Sequence, residues 1–275
     1  MTSPKSLDAT NDNDTFDVNA HNAQYLSQLH QTENGLTALV FGASGLVGKH
    51  CVDSLLADTR YDNVIIIVRK KLDIAHEKLL QIASDFQQLP ALEQKVDHVF
   101  CCLGSTIKKA GSKQAFRTVD YSLIKKVAEY SQQQEISFFG LVSAVDASPH
   151  SRFFYNKVKG ETEFALSELA FKSLAIFRPS IIVGQRQEFR LLEALSMKVM
   201  QLFSFAFVSK LQPYKPTKAE DIALAMIAVA NLPKVASLQN IRFPNPNIKA
   251  EHLTFYNSTQ IAKLSQSAVS VTRGC

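Results

Sequence analysis

The spacing of three glycines, Gly42-x-x-Gly45-x-x-Gly48, constrains the fold of this chain more than any other feature. The six residues before it, 36–41, are almost continuously apolar, as expected of a strand that is covered on both faces. The residues after it, 46–57, place apolar side chains at the spacing of one helical face. A chain that passes so quickly from a buried strand into a helix needs glycine where the backbone turns tightly. The sequence therefore predicts a strand, a glycine-rich turn and a helix in succession.

Beyond this unit, short β-branched runs alternate with longer helical patterns. Predicted strands cover 36–41, 63–68, 82–86, 97–103, 136–143 and 174–177. Predicted helices cover 46–57, 114–133, 151–169, 191–207 and 218–231, the last with Thr217 and Glu220 as a capping box. This alternation builds a parallel sheet with helices on both faces. We predict an α/β fold with a doubly wound parallel sheet of about seven strands, the Rossmann fold, followed by a small C-terminal substrate lobe.

Two further parts of the chain are distinguished by composition. Residues 1–34 are rich in Asp, Asn, Ser and Thr at their start, and they predict a flexible tail without the apolar stretch of a signal peptide. Residues 35–275 would form the Rossmann domain, with the substrate lobe beginning at about residue 184. The longest apolar stretch there, 191–208, contains Glu193 and Lys198, so we expect no integral membrane segment.

Charge and metal-binding residue types exclude several classes of function. The net charge of +5 is scattered along the chain, whereas nucleic-acid binding needs it gathered into a stripe. The seven histidines and four cysteines show neither metal-ligand spacing nor a disulfide framework. We therefore expect no nucleic-acid partner, no metal, and a location in the reducing cytoplasm.

The glycine turn points to a dinucleotide. A helix that starts directly after such a turn directs its free N–H groups and its dipole at a pyrophosphate. The predicted cofactor-binding residues are Gly42, Ala43, Ser44, Gly45, Leu46 and Val47. The alternative is a turn that binds nothing, and the strand before it and helix after it favour the binding site.

The residues after the second predicted strand indicate which dinucleotide is bound. An NAD site usually has an acidic residue there, which binds the ribose 2′-hydroxyl. Here Arg69 and Lys70 stand in that place, and no acidic residue precedes Asp73. Positive charge stabilises a 2′-phosphate, so we predict NADP(H). The alternative is that these basic side chains only solvate the end of a strand.

A tyrosine and a lysine in the predicted helix 151–169 form a candidate catalytic pair. Tyr155 and Lys159 lie one turn apart on the same helical face. An ammonium beside a tyrosine favours the phenolate, which allows the hydroxyl to exchange a proton with a carbonyl or alcohol oxygen. Ser143 ends a predicted parallel strand, where its hydroxyl could hold the substrate oxygen. A Tyr-x-x-x-Lys spacing by itself is common on exposed helices, and its position after a dinucleotide turn gives it weight.

With these motifs in order, the chain resembles the short-chain dehydrogenase/reductase superfamily, and within its atypical branch the Tat-interacting-protein-like oxidoreductases. The similarity extends from about residue 36 to 232. The matching stretches are Val40-Phe41-Gly42-Ala43-Ser44-Gly45-Leu46-Val47-Gly48, Phe100-Cys101-Cys102-Leu103-Gly104-Ser105-Thr106, Tyr155-Asn156-Lys157-Val158-Lys159-Gly160-Glu161 and Phe177-Arg178-Pro179-Ser180.

The resemblance implies roles for individual positions. Contacts to adenine are implied for Asp85 and Phe86, to ribose and diphosphate for Leu103, Gly104 and Ser105, and to nicotinamide for Pro179, Ser180 and Ile181; Ser143, Tyr155 and Lys159 match the catalytic triad. Two positions depart from the family pattern. Ala144 replaces the second serine of a Ser-Ser pair, and Asp120 stands where relatives often have an asparagine. We expect Asp120 to serve a structural turn.

These expectations converge on an NADP(H)-dependent oxidoreductase that transfers hydride between nicotinamide and a small carbonyl or alcohol substrate, as a monomer or homodimer. One alternative is an NADP(H)-sensing regulatory or interaction protein without turnover. Another is a nucleotide-sugar epimerase or dehydratase, which we expect to need a larger C-terminal domain than this chain has. Lys108, Lys109 and Lys113 flank the cofactor mouth or form a solvated loop, and Phe203, Phe205 and Phe207 line a pocket or belong to the core.

Overall fold

A parallel sheet of seven strands is the frame of the protein. The computed structural model describes residues 35–184, 214–232 and 247–272. The described residues form the seven strands of this sheet and a separate pair. The strands are β1 (Leu36–Phe41), β2 (Tyr61–Val68), β3 (Leu79–Ala83), β4 (His98–Cys101), β5 (Phe138–Val142), β6 (Leu174–Arg178), β7 (Ile182–Val183), β8 (Thr217–Lys218) and β9 (Leu253–Asn257). The large sheet has the order β3-β2-β1-β4-β5-β6-β9 with every pairing parallel, and β7 pairs with β8 separately.

Helices connect the strands and cover both faces of the sheet. They are α1 (Leu46–Ala57), α2 (Ile107–Ala110), α3 (Lys113–Arg117), α4 (Ile124–Gln133), α5 (Phe154–Ser167), α6 (Ala219–Ala230) and α7 (Ser258–Thr272), and a π-helical segment, Thr118–Leu123, joins α3 to α4. Together with the strand order, this confirms the predicted doubly wound α/β architecture.

Alternation along β1 shows why the strands are apolar on both sides. Ala38 and Val40 belong to one buried cluster, which α1 and α6 cover, whereas Leu39 and Phe41 belong to a second cluster under α4 and α5. Side chains of successive strand residues point to opposite faces, so a strand between two helical layers needs an apolar residue at nearly every position.

The order of the strands places a crevice above β1. The chain proceeds from β1 outward to β2 and β3, and then returns to the other side of β1 with β4. At such a switch point the connections diverge, which leaves a crevice at the carboxyl ends of the strands where ligands bind. The glycine turn and the segment after β4 both lie at this edge.

The predicted helix 114–133 is not continuous. The structure divides it into α3, the π-helical segment and α4, and it adds the short helix α2, which the sequence did not predict. The hydroxyl of Thr118 donates to the carbonyl of Gln114 at 3.1 Å, a bond that competes with the backbone and bends a helix. The wider π turn brings Asp120 into the interior, where it is fully buried.

Two other local predictions were wrong. Helix α6 is not capped by Thr217, which lies in β8 and directs its hydroxyl to the carbonyl of Lys215; no side chain caps this helix. The third strand covers Leu79–Ala83 instead of the predicted 82–86, and the left-handed backbone of Phe86, with φ +65°, is incompatible with a strand at that residue.

Several predicted features lie outside the described residues. They are the tail 1–34, the helix 191–207 and, of the lobe expected from residue 184, the residues 185–213, 233–246 and 273–275. Among the helices that the structure describes, none is long and apolar enough to cross a membrane.

Tyr61 joins three elements of the fold through its hydroxyl. This side chain is fully buried at the start of β2, and burial raises the pKa of its phenol far above the usual value. The hydroxyl shares a hydrogen bond with Nδ1 of His98 on β4 at 2.7 Å and accepts one from the side chain of Asn231 after α6 at 2.8 Å. The network fixes the end of α6 to the buried centre of the sheet.

Substitution Tyr61→Phe should therefore lower the free energy of unfolding by about 1–3 kcal/mol, because buried polar partners lose their hydrogen bonds. The control is Tyr130→Phe, whose hydroxyl donates to the carbonyl of Pro90 at a half-buried position. Urea denaturation of both variants provides the measurement. Equal losses in the two variants would contradict a special role for the Tyr61 network.

Candidate active site

The glycine turn brings the start of α1 close to the end of β1. Gly42 has φ +82°, and its carbonyl accepts a hydrogen bond from the N–H of Gly45 at 2.9 Å. A Cβ on Gly48 would lie 2.1 Å from the carbonyl oxygen of Gly42, so only glycine permits this approach. No side chain caps α1, and its first N–H groups lack partners within the helix. The turn therefore offers backbone donors of the kind that bind a pyrophosphate, and its shape fits a dinucleotide.

Arg69 and Lys70 lie beside this turn. The parallel register places Phe41 of β1 opposite Ile67 of β2, so the two basic residues follow β2 next to the glycines. Both side chains are exposed. Their position and charge suit a phosphate on the adenosine ribose.

The residues expected around adenine and ribose occupy loops at the same edge of the sheet. Phe86 packs 6.4 Å from the ring of Phe41, measured between centroids, and Asp85 accepts a hydrogen bond from the N–H of Gln87. Gly104 and Ser105 follow β4, and the N–H of Ser105 donates to Oδ2 of Asp120 at 2.9 Å. Leu103 packs against the buried cluster under α4 and α5.

Tyr155 and Lys159 lie on the first two turns of α5. Tyr155 is half-buried, with its ring centroid 5.3 Å from that of Phe116. Lys159 is buried, and its Nζ lies 2.8 Å from Oδ1 of Asp120. Burial lowers the pKa of Lys159, but the charge of Asp120 and the proximity of Tyr155 outweigh it, so the pKa is raised overall. The contact with Asp120 thus favours the ammonium form of Lys159, which lies on the same helical face as the tyrosine.

Ser143 directs its hydroxyl into the protein. Its Oγ donates to Oε1 of the buried Glu163 at 2.5 Å. Arg178 binds the same carboxylate through Nε at 3.1 Å and through Nη2 at 2.5 Å. Burial raises the pKa of Glu163, although Arg178 and Ser143 oppose that shift. The hydroxyl proton of Ser143 is therefore donated to the carboxylate of Glu163. In this arrangement Ser143 can only accept a hydrogen bond from a ligand.

The nicotinamide-side residues form a short loop after β6. The carbonyl of Pro179 accepts from the N–H of Val145 at 2.9 Å, and the hydroxyl of Ser180 donates to the carbonyl of Lys215 at 2.6 Å. Ile181 remains 65% exposed between these fixed points. Its side chain is available to an apolar ring face.

Sequence reasoning missed three participating side chains. Glu163 follows Tyr155 and Lys159 at the next turn of the same helical face, and this i, i+4, i+8 spacing was a signal that could have identified it. Arg178 belongs to a strand, and its partner on α5 is set by the fold. Asp120 was assigned to a structural turn, whereas the structure pairs it with Lys159.

Comparisons with known proteins agree with this geometry. A family profile described as NAD(P)H-binding matches residues 42–169. The rat (Rattus norvegicus) protein HTATIP2 is 37% identical over 169 residues, which cover 59% of this chain and 69% of the relative. The chain belongs to the family of HTATIP2. The predicted resemblance to atypical short-chain dehydrogenases is thereby confirmed, as is a nicotinamide cofactor.

A fungal relative corrects the predicted location. Protein FMP52-2 of Scheffersomyces stipitis is 28% identical over 202 residues, covering 71% of this chain and 87% of the relative. It is named a mitochondrial protein, as are further FMP52 relatives from other yeasts. The prediction of a cytoplasmic location was wrong by this comparison, since cysteine usage reports a reducing environment and not an organelle.

A solved structure shows how widely the fold is shared. UDP-glucuronic acid 4-epimerase from Bacillus cereus, in complex with UDP-glucuronic acid and NAD, has a TM-score of 0.55 at 14% identity, covering 84% of this chain and 93% of the epimerase. At this identity the likeness concerns the fold alone.

Alanine substitutions at two glycines with left-handed backbones, Gly42 and Gly111, test how tightly the turn packs against its neighbours. A Cβ at Gly42 would lie 2.6 Å from the backbone of Cys102, whereas one at Gly111, with φ +85°, would meet nothing within 4 Å. Gly42→Ala should lower the free energy of unfolding by about 2–5 kcal/mol, from backbone strain and overpacking together. Gly111→Ala should lower it by about 1–2 kcal/mol, from strain alone. Thermal or urea denaturation measures both, and equal effects would contradict the tight packing of the turn on the segment after β4.

Proposed function

We propose that this protein is an NADP(H)-dependent oxidoreductase that interconverts a small carbonyl compound and its alcohol. The observation that supports it most is that the half-buried Tyr155 and the buried Lys159 lie one turn apart on α5, with an aspartate as the ionic partner of the lysine. The match to an NAD(P)H-binding family supports the nicotinamide part of the proposal.

Cofactor preference rests on the end of β2. The glycine turn would bind the pyrophosphate through its backbone, and Arg69 with Lys70 would bind the 2′-phosphate of NADP(H). When bound, the nicotinamide supplies or accepts the hydride that the reaction needs. The exposed Ile181 would contact the ring.

Proton transfer is assigned to Tyr155. Its hydroxyl would donate to a carbonyl oxygen in reduction and accept the proton of an alcohol in oxidation. The ammonium of Lys159 would favour the deprotonated tyrosine and bind the nicotinamide ribose. Ser143 would orient a carbonyl oxygen by turning its hydroxyl proton from Glu163 toward the substrate, because a carbonyl oxygen can only accept a hydrogen bond.

A cofactor sensor without turnover is the second candidate. The same turn and the same basic residues would serve it, and it would need no proton donor beside the nicotinamide. The two candidates therefore differ in whether the hydroxyl of Tyr155 matters once the cofactor is bound.

Cofactor preference is tested by thermal shift with NADPH and NADH. Replacing Arg69 and Lys70 together by alanine should weaken NADPH binding by about 10- to 100-fold, the effect of losing charge-assisted hydrogen bonds, and should leave NADH binding unchanged. Saturation at a hundred times the dissociation constant stabilises a protein by about 2.7 kcal/mol, which makes the loss measurable. Lys172→Ala is the control, because Lys172 is exposed and precedes β6, at the amino ends of the strands. A wild-type protein with no preference for NADPH would overturn the proposal of NADP(H).

Turnover is tested by Tyr155→Phe with a panel of aldehydes, ketones and quinones. Loss of the hydroxyl should reduce NADPH consumption by about 10²- to 10⁴-fold while the thermal shift with NADPH persists. Tyr121→Phe is the control, because this tyrosine lies in the π-helical segment with its ring under Arg117. If the wild type binds NADPH and consumes none with any substrate of the panel, the sensor becomes the better proposal.

A further inference from the structure

Asp120 and Lys159 form an ion pair inside the protein. Oδ1 of Asp120 lies 2.8 Å from Nζ of Lys159, and the two side chains are 0% and 5% exposed. Taking two charges out of water is expensive, and the attraction between them compensates only if their geometry is well fixed. This pair is therefore held by the surrounding structure, and the contacts of Asp120 show how.

Three elements fix Asp120 in place. The π-helical segment turns its side chain inward, and the N–H of Ser105, from the loop after β4, donates to its second carboxylate oxygen at 2.9 Å. The hydroxyl of Thr162, on α5, lies 2.6 Å from the carbonyl oxygen of Asp120. A Cβ at Gly104 would lie 3.4 Å from both Oδ1 of Asp120 and Nζ of Lys159, so the loop after β4 closes over the pair.

The other ionisable groups near Lys159 do not replace Asp120. Burial raises the pKa of Cys101, on β4, to about 12, so its thiol is neutral. Glu163, one turn further along α5, is engaged by Arg178 and Ser143. Tyr155, one turn earlier on the same helix, contributes a phenol and not a carboxylate. Among the residues that the structure describes, Asp120 is the carboxylate in direct ionic contact with Lys159.

We propose that Asp120 is a positioning residue, which keeps Lys159 in its ammonium form and directs it at the site that Tyr155 shares. This replaces the structural turn expected from the sequence. A buried amine without a counterion releases its proton, because the charged form is poorly solvated there. The assignment of a role in turnover rests on the proposed oxidoreductase function, whereas the effect on the charge of Lys159 does not.

The charge of Lys159 is observable directly by NMR of protein labelled with ¹³C and ¹⁵N at lysine. The signal of Lys159 is identified by its absence from Lys159→Arg, and the exposed lysines of the same spectrum serve as the reference. In the wild type, Lys159 should titrate at a higher pH than that reference. In Asp120→Asn, which keeps the size of the side chain and removes its charge, Lys159 should hold its proton at least about tenfold more weakly.

Glu129→Gln is the matched control, since Glu129 pairs with Lys125 at 3.6 Å on the surface of α4. It should leave the Lys159 titration unchanged. An unchanged Lys159 titration in Asp120→Asn would overturn the proposal. If that variant does not fold, the wild type alone decides, because a titration of Lys159 below the exposed lysines would contradict Asp120 as its counterion.

Turnover is read separately. With a substrate found in the panel, the alkaline limb of kcat/KM for NADPH consumption should move to lower pH in Asp120→Asn and return in Asp120→Glu, which restores the charge. A lysine signal that shifts in a protein without any turnover would remove the oxidoreductase and leave the counterion assignment standing. Turnover with an unshifted lysine signal would support the oxidoreductase and overturn the assignment of Asp120 as the counterion.

Discussion

The contact between the glycine turn and its two neighbours is the constraint on which the rest of the structure depends. Gly48 lets α1 approach the carbonyl of Gly42, and Gly42 in turn lies against the backbone of Cys102 after β4. The N–H of Cys102 donates to the carbonyl of Phe41 at 2.9 Å, and this hydrogen bond continues the pairing of β1 with β4 to the ends of both strands. The loop that follows reaches Gly104, which covers the Asp120–Lys159 pair. The segment that packs against the dinucleotide turn thus continues into a loop that lies against the proposed catalytic lysine.

Local sequence signals predicted the parts of the fold that local physics decides. The bounds of β1 and α1 were predicted correctly, because an apolar strand, glycines and an amphipathic helix leave little freedom. The π-helical segment was missed, since residues 114–133 have the periodicity of one continuous helix. It is accompanied by contacts from elsewhere in the fold, where Lys159 and Ser105 satisfy the carboxylate of the buried Asp120. A sequence pattern within one helix cannot report a partner contributed by another element.

In the candidate site, too, some features follow from local sequence and others depend on partners from distant elements. The spacing of Tyr155 and Lys159 is a property of one helix and could be predicted from the sequence. The direction of the Ser143 hydroxyl depends on Glu163 from α5 and Arg178 from β6, and it became visible only in the folded chain. The sequence placed Ser143 at the correct end of a strand and could not predict which way its proton points.

The buried charged side chains bear on whether the site only binds a cofactor or also transfers a proton. Lys159 with Asp120 and Arg178 with Glu163 form two balanced pairs, so the interior carries no net charge at this place. Buried ion pairs contribute little to stability compared with apolar packing, and breaking one leaves a charge unpaired. Backbone N–H groups and exposed basic residues suffice to bind a dinucleotide, and neither needs an ammonium fixed inside the protein. The proposed proton transfer would require a lysine that remains charged beside a tyrosine, and the buried pair supports the proposal of an enzyme over that of a sensor.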